Sequence, residues 1–266
     1  MKLCRFTHPD FFAPHYGIME GDYVRALIDA DAFGSRTRAR ADKIPLSEVR
    51  IVAPVAPSKI VCVGRNYLEH ARELGNALPT EPLLFLKAPS SIIASGETIQ
   101  LPPESSQVEH EGELGVVIGR TACRIPETDD PLTYVLGYTC VNDVTARDLQ
   151  RKDVQFTRAK SFDTFCPVGP IISTDLNPLD ALVTTRLNGE VKQQASTSSM
   201  AFPVSMLLRY ISHAMTLLPG DLIATGTPAG VSAMKSGDTV EVSIEGIGVL
   251  SNSVGEQLCA SDDAPV

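Results

Sequence analysis

Short apolar runs bounded by glycine, proline or aspartate recur along this chain, and each predicts a strand rather than a helix. Residues 59–64, 83–86, 114–118, 134–138, 168–172 and 240–244 are of this kind, and 23–28 follows the turn signal Glu20-Gly21-Asp22. Asn188-Gly189 separates 184–187 from 190–192 and predicts a tight hairpin, because both residues tolerate the positive φ such a turn needs. Helical spacing is sparse. It predicts a short helix over 67–74 with Asn66 as N-cap and Gly75 as C-cap, and another over 144–151. The longest runs over 204–215, where Val204, Leu207, Leu208 and Ile211 share one face. The fold class is therefore mostly β (α+β), without the strand–helix alternation of a doubly wound sheet.

Residues 1–55 read as a small N-terminal β-rich domain with a polar, Arg-rich surface loop at 31–43. The proline-punctuated stretch 53–58 reads as a linker. The main domain is expected over 56–255 and a polar C-terminal tail over 256–266. With 266 residues, 43% hydrophobic and 21% charged, the chain is an ordinary globule able to bury a sizeable core. Lys+Arg number 23 against 32 Asp+Glu, a net charge of −9, which argues against a nucleic-acid partner. Cys4, Cys62, Cys123, Cys140, Cys166 and Cys259 are scattered without a CxxC pair, as expected of reduced thiols. The start has no apolar signal region, and no uncharged run reaches the roughly 18 residues of a membrane span. A cytoplasmic protein without membrane contact is expected.

No P-loop and no nucleophile elbow is present, and Gly246-Ile247-Gly248 lacks the third glycine of a dinucleotide fingerprint. Glu111 and Glu113 are two apart, so on a strand both side chains leave the same face, ahead of an apolar run. Either they point to solvent at a strand end, or a divalent cation relieves their repulsion. Asp143, ending the run 138–142, is open to two readings, an N-cap or a third oxygen ligand. Two Glu and one Asp would select a hard cation, Mg²⁺ first. Arg147 and Gln150 share a helix face and suit a substrate carboxylate, or else form a solvated face with an Asp143–Arg147 pair. His70 and Glu73, three apart, make either a solvated pair or a general base for activating water. Lys160 precedes an apolar segment and is a candidate to be drawn inward, and Thr225–Gly230 reads as a turn or a functional loop.

In order and spacing these stretches resemble the fumarylacetoacetate hydrolase family over roughly 59–254. The carrying pieces are Val61-Cys62-Val63-Gly64-Arg65-Asn66-Tyr67 with His70, Glu81-Pro82 with Leu84-Phe85-Leu86-Lys87, and Glu111-Gly112-Glu113-Leu114 with Val116-Val117-Ile118-Gly119. Asn142-Asp143 with Thr145-Ala146-Arg147-Asp148, Lys160-Ser161-Phe162-Asp163-Thr164, Asn188-Gly189-Glu190 and Gly220–Ile223 with Thr225-Gly226-Thr227-Pro228 complete the set. The resemblance implies a mixed β-sandwich roll with few short helices, normally a homodimer. It implies Mg²⁺ (or Mn²⁺) held by Glu111, Glu113 and Asp143, and catalysis by His70 and Glu73, with Gln150 and Lys160 stabilising charge or donating a proton. It places Arg65, Tyr67, Arg147 and Thr227 among substrate contacts, and puts the dyad on a lid segment. Gly112, where relatives often carry a larger residue, is expected to be neutral because it points away from the ligand face.

The activity implied first is Mg-dependent hydrolysis of a carbon–carbon bond in a small acylpyruvate-like β-diketo acid, through an enolate held at the metal and a His/Glu-activated water. The alternative is an isomerase or decarboxylase of 2-oxo or 2-hydroxydienoic diacids, as in aromatic catabolism. The His70/Glu73 pair favours the first and the N-terminal extension the second. In both, the expected partner is a small anionic 2-oxo acid.

Overall fold

A computed structural model describes residues 1–28, 33, 38–75 and 77–256. Positions 31, 32 and 34–37 of the Arg-rich loop, Cys259 and all but the first residue of the expected tail lie outside them. Two mixed sheets dominate. The larger has twelve strands, ordered through Ile44–Pro45, Tyr23–Ala26, His15–Glu20, Lys2–Thr7, Cys166–Ser173, Val135–Asn142, Gly112–Ile118, Leu222–Ala224, Ile60–Gly64 and Leu83–Lys87. Arg50–Val52 and Ile92–Ile93 attach beside this path. The smaller runs through Glu190–Ser196, Leu182–Leu187, Thr239–Ile244, Gly248–Glu256 and Ile99–Leu101. Among the described residues no helix is long and apolar enough to cross a membrane.

The N-terminal strands do not stand apart. Lys2–Thr7 pairs antiparallel with Cys166–Ser173, so one ladder joins 1–52 to the main body. Ala53 and Val55 are buried, which corrects the linker reading of 53–58: the segment is packed, not free. Asn188 (φ 52°) and Gly189 (φ 81°) make the expected hairpin turn between Leu182–Leu187 and Glu190–Ser196. The longest helix, Val204–Ala214, buries Val204, Leu207, Leu208 and Ile211 as its periodicity requires.

Two expectations fail locally. The helix expected over 144–151 begins only at Arg147 (Arg147–Lys152), because Thr145–Ala146 first pairs with Val108–Glu109 as a short ladder. The helix Leu68–Glu73 forms and Gly75 follows it at φ 70°, but Asn66 is not its cap. The Asn66 amide instead donates to the carbonyls of Phe202 (3.1 Å) and Thr225 (2.7 Å) and accepts from Phe202 N–H (2.8 Å), fastening the start of the helix to two distant loops.

The central pair sets the two faces of the site. Gly112–Ile118 and Val135–Asn142 run antiparallel with Gly112 opposite Asn142 and Glu113 opposite Val141. Leu114, Val116 and Ile118 turn toward the smaller sheet and the long helix, packing with Val183, Val242, Ile244 and Leu208. Alternation sends Glu113 to the other face, with Val117. Gly112 faces the smaller sheet, where a Cβ would lie 2.0 Å from Thr185 Oγ1 and 3.2 Å from Val242 Cγ2. The direction is as expected, but the position is not neutral here, because the second sheet occupies the space. Gly112→Ala is expected to lower unfolding free energy by about 1–3 kcal/mol, measured by denaturant melts. Wild-type stability would contradict this packing.

Candidate active site

Glu111 immediately precedes Gly112–Ile118, and Asp143 follows Val135–Asn142. The Asp143 N–H donates to the Glu111 carbonyl at 2.8 Å, which extends the ladder one step and makes the two residues cross-strand neighbours. Glu113 lies on the same face. One oxygen from each of Glu111, Glu113 and Asp143 falls within 4.8 Å of the others, and all three residues are buried. Asp143 therefore caps no helix, since Ala146 flanks Arg147–Lys152.

Like charges this close need compensation. Lys160 is drawn inward, as a fully buried lysine on the four-residue helix Thr157–Lys160. Its Nζ donates to Glu111 Oε2 (2.7 Å) and Asp143 Oδ2 (2.6 Å). Lys87 Nζ donates to Asp143 Oδ1 (2.6 Å) and the Val144 carbonyl (3.2 Å). Arg147 donates through Nε to Glu109 Oε2 (2.7 Å), through Nη1 to Gln150 Oε1 (2.5 Å) and through Nη2 to Glu111 Oε1. Its guanidinium thus braces a carboxylate of the cluster, and the Asp143–Arg147 surface pair does not form. Three cations face four carboxylates.

The balance is uneven. Burial pushes the Glu111 carboxyl up, but contact with Lys160 and Arg147 more than offsets it and holds the group well below the usual carboxylate range. Lys160 and Arg147 are raised in turn, because these carboxylates outweigh their burial. Glu113 goes the other way: burial and the charges of Asp143 and Glu111 push its carboxyl well up. Among the described residues its one hydrogen bond comes from the Gly226 N–H, at 2.7 Å. Gly226 suits that contact. Its φ is 100°, and a Cβ there would lie 2.7 Å from Asn66 Cβ, so only glycine lets the loop come this close.

The donor set fits a hard divalent cation. It offers carboxylate oxygens only, mutually close on one face, and one of the three carboxylates lacks a contacting protein cation. Glu111, Glu113 and Asp143 would hold it.

A cavity of ≈ 500 Å³ opens over this cluster, lined also by Arg65, Phe85, Gln150, Arg151, Phe156 and Thr227. His70 and Glu73 line it from the helix Leu68–Glu73. His70 is only 4% exposed. Its Nδ1 lies 3.1 Å from Glu73 Oε2, and among the described residues Nε2 has no hydrogen-bond partner. The Gly230 N–H donates to both Glu73 oxygens, at 3.0 and 3.2 Å. Arg65 has left-handed backbone (φ 58°) and no carboxylate partner among the described residues. Gln150 gives its carbonyl oxygen to Arg147, and Thr227 Oγ1 donates to the Gly112 carbonyl (2.9 Å).

Tyr67 is not brought to the cavity. It is buried, its hydroxyl lacks a hydrogen-bond partner among the described residues, and burial followed by the Glu113 charge pushes its pKa well up. Lys87, Glu109, Arg151 and Phe156 were assigned no role by sequence reasoning. A lysine at the end of an apolar strand and a glutamate two before the cluster carry no spacing signal that separates them from surface residues.

Comparison with known proteins fits this geometry. The family model described as fumarylacetoacetate (FAA) hydrolase C-terminal matches residues 59–255, and one described as Rv2993c-like, N-terminal matches 1–54. Oxaloacetate tautomerase YisK of Bacillus subtilis is 40% identical over 262 residues, covering 88% of this chain and 87% of the relative. The crystal structure of 2-hydroxyhepta-2,4-diene-1,7-dioate isomerase from Mycobacterium marinum superposes with TM-score 0.88 at 43% identity, covering 97% of this chain and 99% of that one. Fumarylacetoacetate hydrolase from Exiguobacterium antarcticum superposes with TM-score 0.86 at 39% identity, covering 97% and 100%. The chain belongs to the fumarylacetoacetate hydrolase family.

Proposed function

We propose that this protein catalyses divalent-metal-dependent enolisation of a small 2-oxo dicarboxylic acid, either keto–enol tautomerisation or the related double-bond isomerisation. The observation that carries the reading is the convergence on one cavity of the carboxylate cluster, an imidazole whose Nε2 has no hydrogen-bond partner among the described residues, and a buried ammonium. That is an arrangement for moving a proton between carbon and oxygen. Two relatives support it by name, an oxaloacetate tautomerase and a hydroxydienedioate isomerase. The hydrolysis implied first by the sequence becomes the second reading.

Glu111, Glu113 and Asp143 would hold a Mg²⁺ or Mn²⁺ ion, which would supply Lewis-acid polarisation of a carbonyl. His70 Nε2 takes the proton from the carbon beside that carbonyl, while Glu73 fixes the ring through Nδ1 and stabilises its protonated form. The same nitrogen then gives that proton to the enolate oxygen in tautomerisation, or to the far carbon of the conjugated system in double-bond isomerisation, and the reverse direction retraces these steps. Lys160, kept charged by Glu111 and Asp143, stabilises negative charge developing on oxygen. Arg65 and Arg151 at the cavity wall bind the far carboxylate. Phe85 and Phe156 exclude water from one side.

Hydrolysis keeps a specific support. A His70/Glu73 pair is equally suited to deprotonating a water that attacks a distal carbonyl. A panel of oxaloacetate, hydroxydienedioates, acylpyruvates and fumarylpyruvate separates the two, with products identified. Interconversion of oxaloacetate tautomers or diene isomers is expected to exceed acylpyruvate cleavage in kcat/KM. Cleavage as fast or faster would reverse the assignment. His70→Ala is expected to lower the enolisation rate by about 10²-fold or more with the fold intact. A rate within twofold of wild type removes His70 as the base. Chelation is expected to abolish turnover and Mg²⁺ or Mn²⁺ to restore it. Glu113→Gln is expected to weaken Mn²⁺ binding by about tenfold or more in calorimetry. Unchanged affinity would take Glu113 out of the ligand set.

A further inference from the structure

Gln193 lies in Glu190–Ser196, on the smaller sheet, and is 1% exposed. Its amide hydrogen-bonds to two separate segments, 110–112 and 227–228. Oε1 accepts from the Gly112 N–H (3.0 Å) and faces His110 Nδ1 (3.2 Å). Nε2 donates to Thr227 Oγ1 and to the Pro228 carbonyl, both at 2.7 Å. The orientation is forced, since a backbone N–H requires the oxygen on one side and a backbone carbonyl requires the nitrogen on the other. Thr227 Oγ1 in turn donates to the Gly112 carbonyl (2.9 Å), closing a ring through Gly112, Gln193 and Thr227.

Two backbone donors of the site lie on the loop this ring fastens. Gly226 N–H holds Glu113, and Gly230 N–H holds Glu73, which orients His70. The loop is the one covalent segment that touches both the carboxylate cluster and the dyad helix, among the contacts described above. We propose that Gln193 is a positioning residue: by tying the 226–230 loop to the residues flanking Glu111, it sets where the His70/Glu73 dyad stands relative to the carboxylate cluster. It touches no reacting atom and lies outside the lining of the cavity.

Gln193→Glu keeps the size and the accepting oxygen but puts an oxygen in place of Nε2, against the Pro228 carbonyl. Amide hydrogen exchange on the full chain reads the result. Gly226, Gly230 and the Leu68–Glu73 helix are expected to exchange about tenfold faster, with Val116 and Val141 in the central strands unchanged. Unchanged exchange at the first set overturns the proposal, and so does a uniform rise across the chain, which marks general loss of stability. In the unsubstituted chain, the amides of Gly112, Gly226 and Gly230 are expected to open together with the same denaturant dependence. A Gly230 amide that exchanges independently, at the rate of an exposed loop, overturns the proposal even where no variant folds. A kinetic arm rests on the proposed reaction: kcat on the substrate turned over by wild type is expected to fall about tenfold at unaltered KM. Loss in KM alone would contradict positioning of the dyad. Wild-type inactivity on the whole panel would sink the proposed reaction, while the exchange measurements would still decide the role of Gln193.

Discussion

Carboxylates at neighbouring positions on one sheet face repel one another, and Glu111, Glu113 and Asp143 occupy such positions almost out of water. Much of the surrounding site answers that repulsion. Lys160 sits between Glu111 and Asp143, Lys87 takes the other oxygen of Asp143, and Arg147 binds Glu111 and Glu109. Glu113 is left with one backbone N–H. Buried lysines and a buried arginine are unfavourable alone, so each presupposes the carboxylates just as the carboxylates presuppose them. The remaining imbalance, concentrated at Glu113, suits the cluster to hold a hard cation.

The fold supplies the rigidity this needs. Glu113 lies on, and Glu111 immediately before, a strand whose opposite face is packed by the smaller sheet, with so little room at Gly112 that Thr185 fills the place of a side chain. The central ladder fixes Asp143 opposite Glu111. Side chains of the candidate site on other elements are referred to the same strand. Thr225 Oγ1 and N–H both reach the Leu114 carbonyl, the 226–230 loop continues along it, and Glu73 is held from the end of that loop. A displacement of the strand would move the carboxylate cluster, the His70/Glu73 pair and the Lys160 ammonium together.

Short apolar runs with clear turn signals were enough to read the mostly β architecture, because the central strands are buried on both faces. The Asn188-Gly189 turn was equally readable, since its backbone demand is met by few residue types. The same-face argument for Glu111 and Glu113 holds because it depends only on the strand repeat. Partners distant in sequence were not readable. Asn66 looks like a helix cap and instead joins loops at 202 and 225, because a tertiary hydrogen bond outcompetes the local one. Thr145–Ala146 leaves the helical path to pair with a strand nearly forty residues earlier. Lys87 and Gln193 carry no local pattern, as their importance comes from what the folded chain places beside them.

The cation site is tested most directly by crystals of the full chain grown with Mn²⁺ and measured across the manganese absorption edge. An anomalous peak is predicted within roughly 2.0–2.6 Å of one carboxylate oxygen from each of Glu111, Glu113 and Asp143. A peak bound elsewhere, or no peak at these three residues under saturating Mn²⁺, would contradict it.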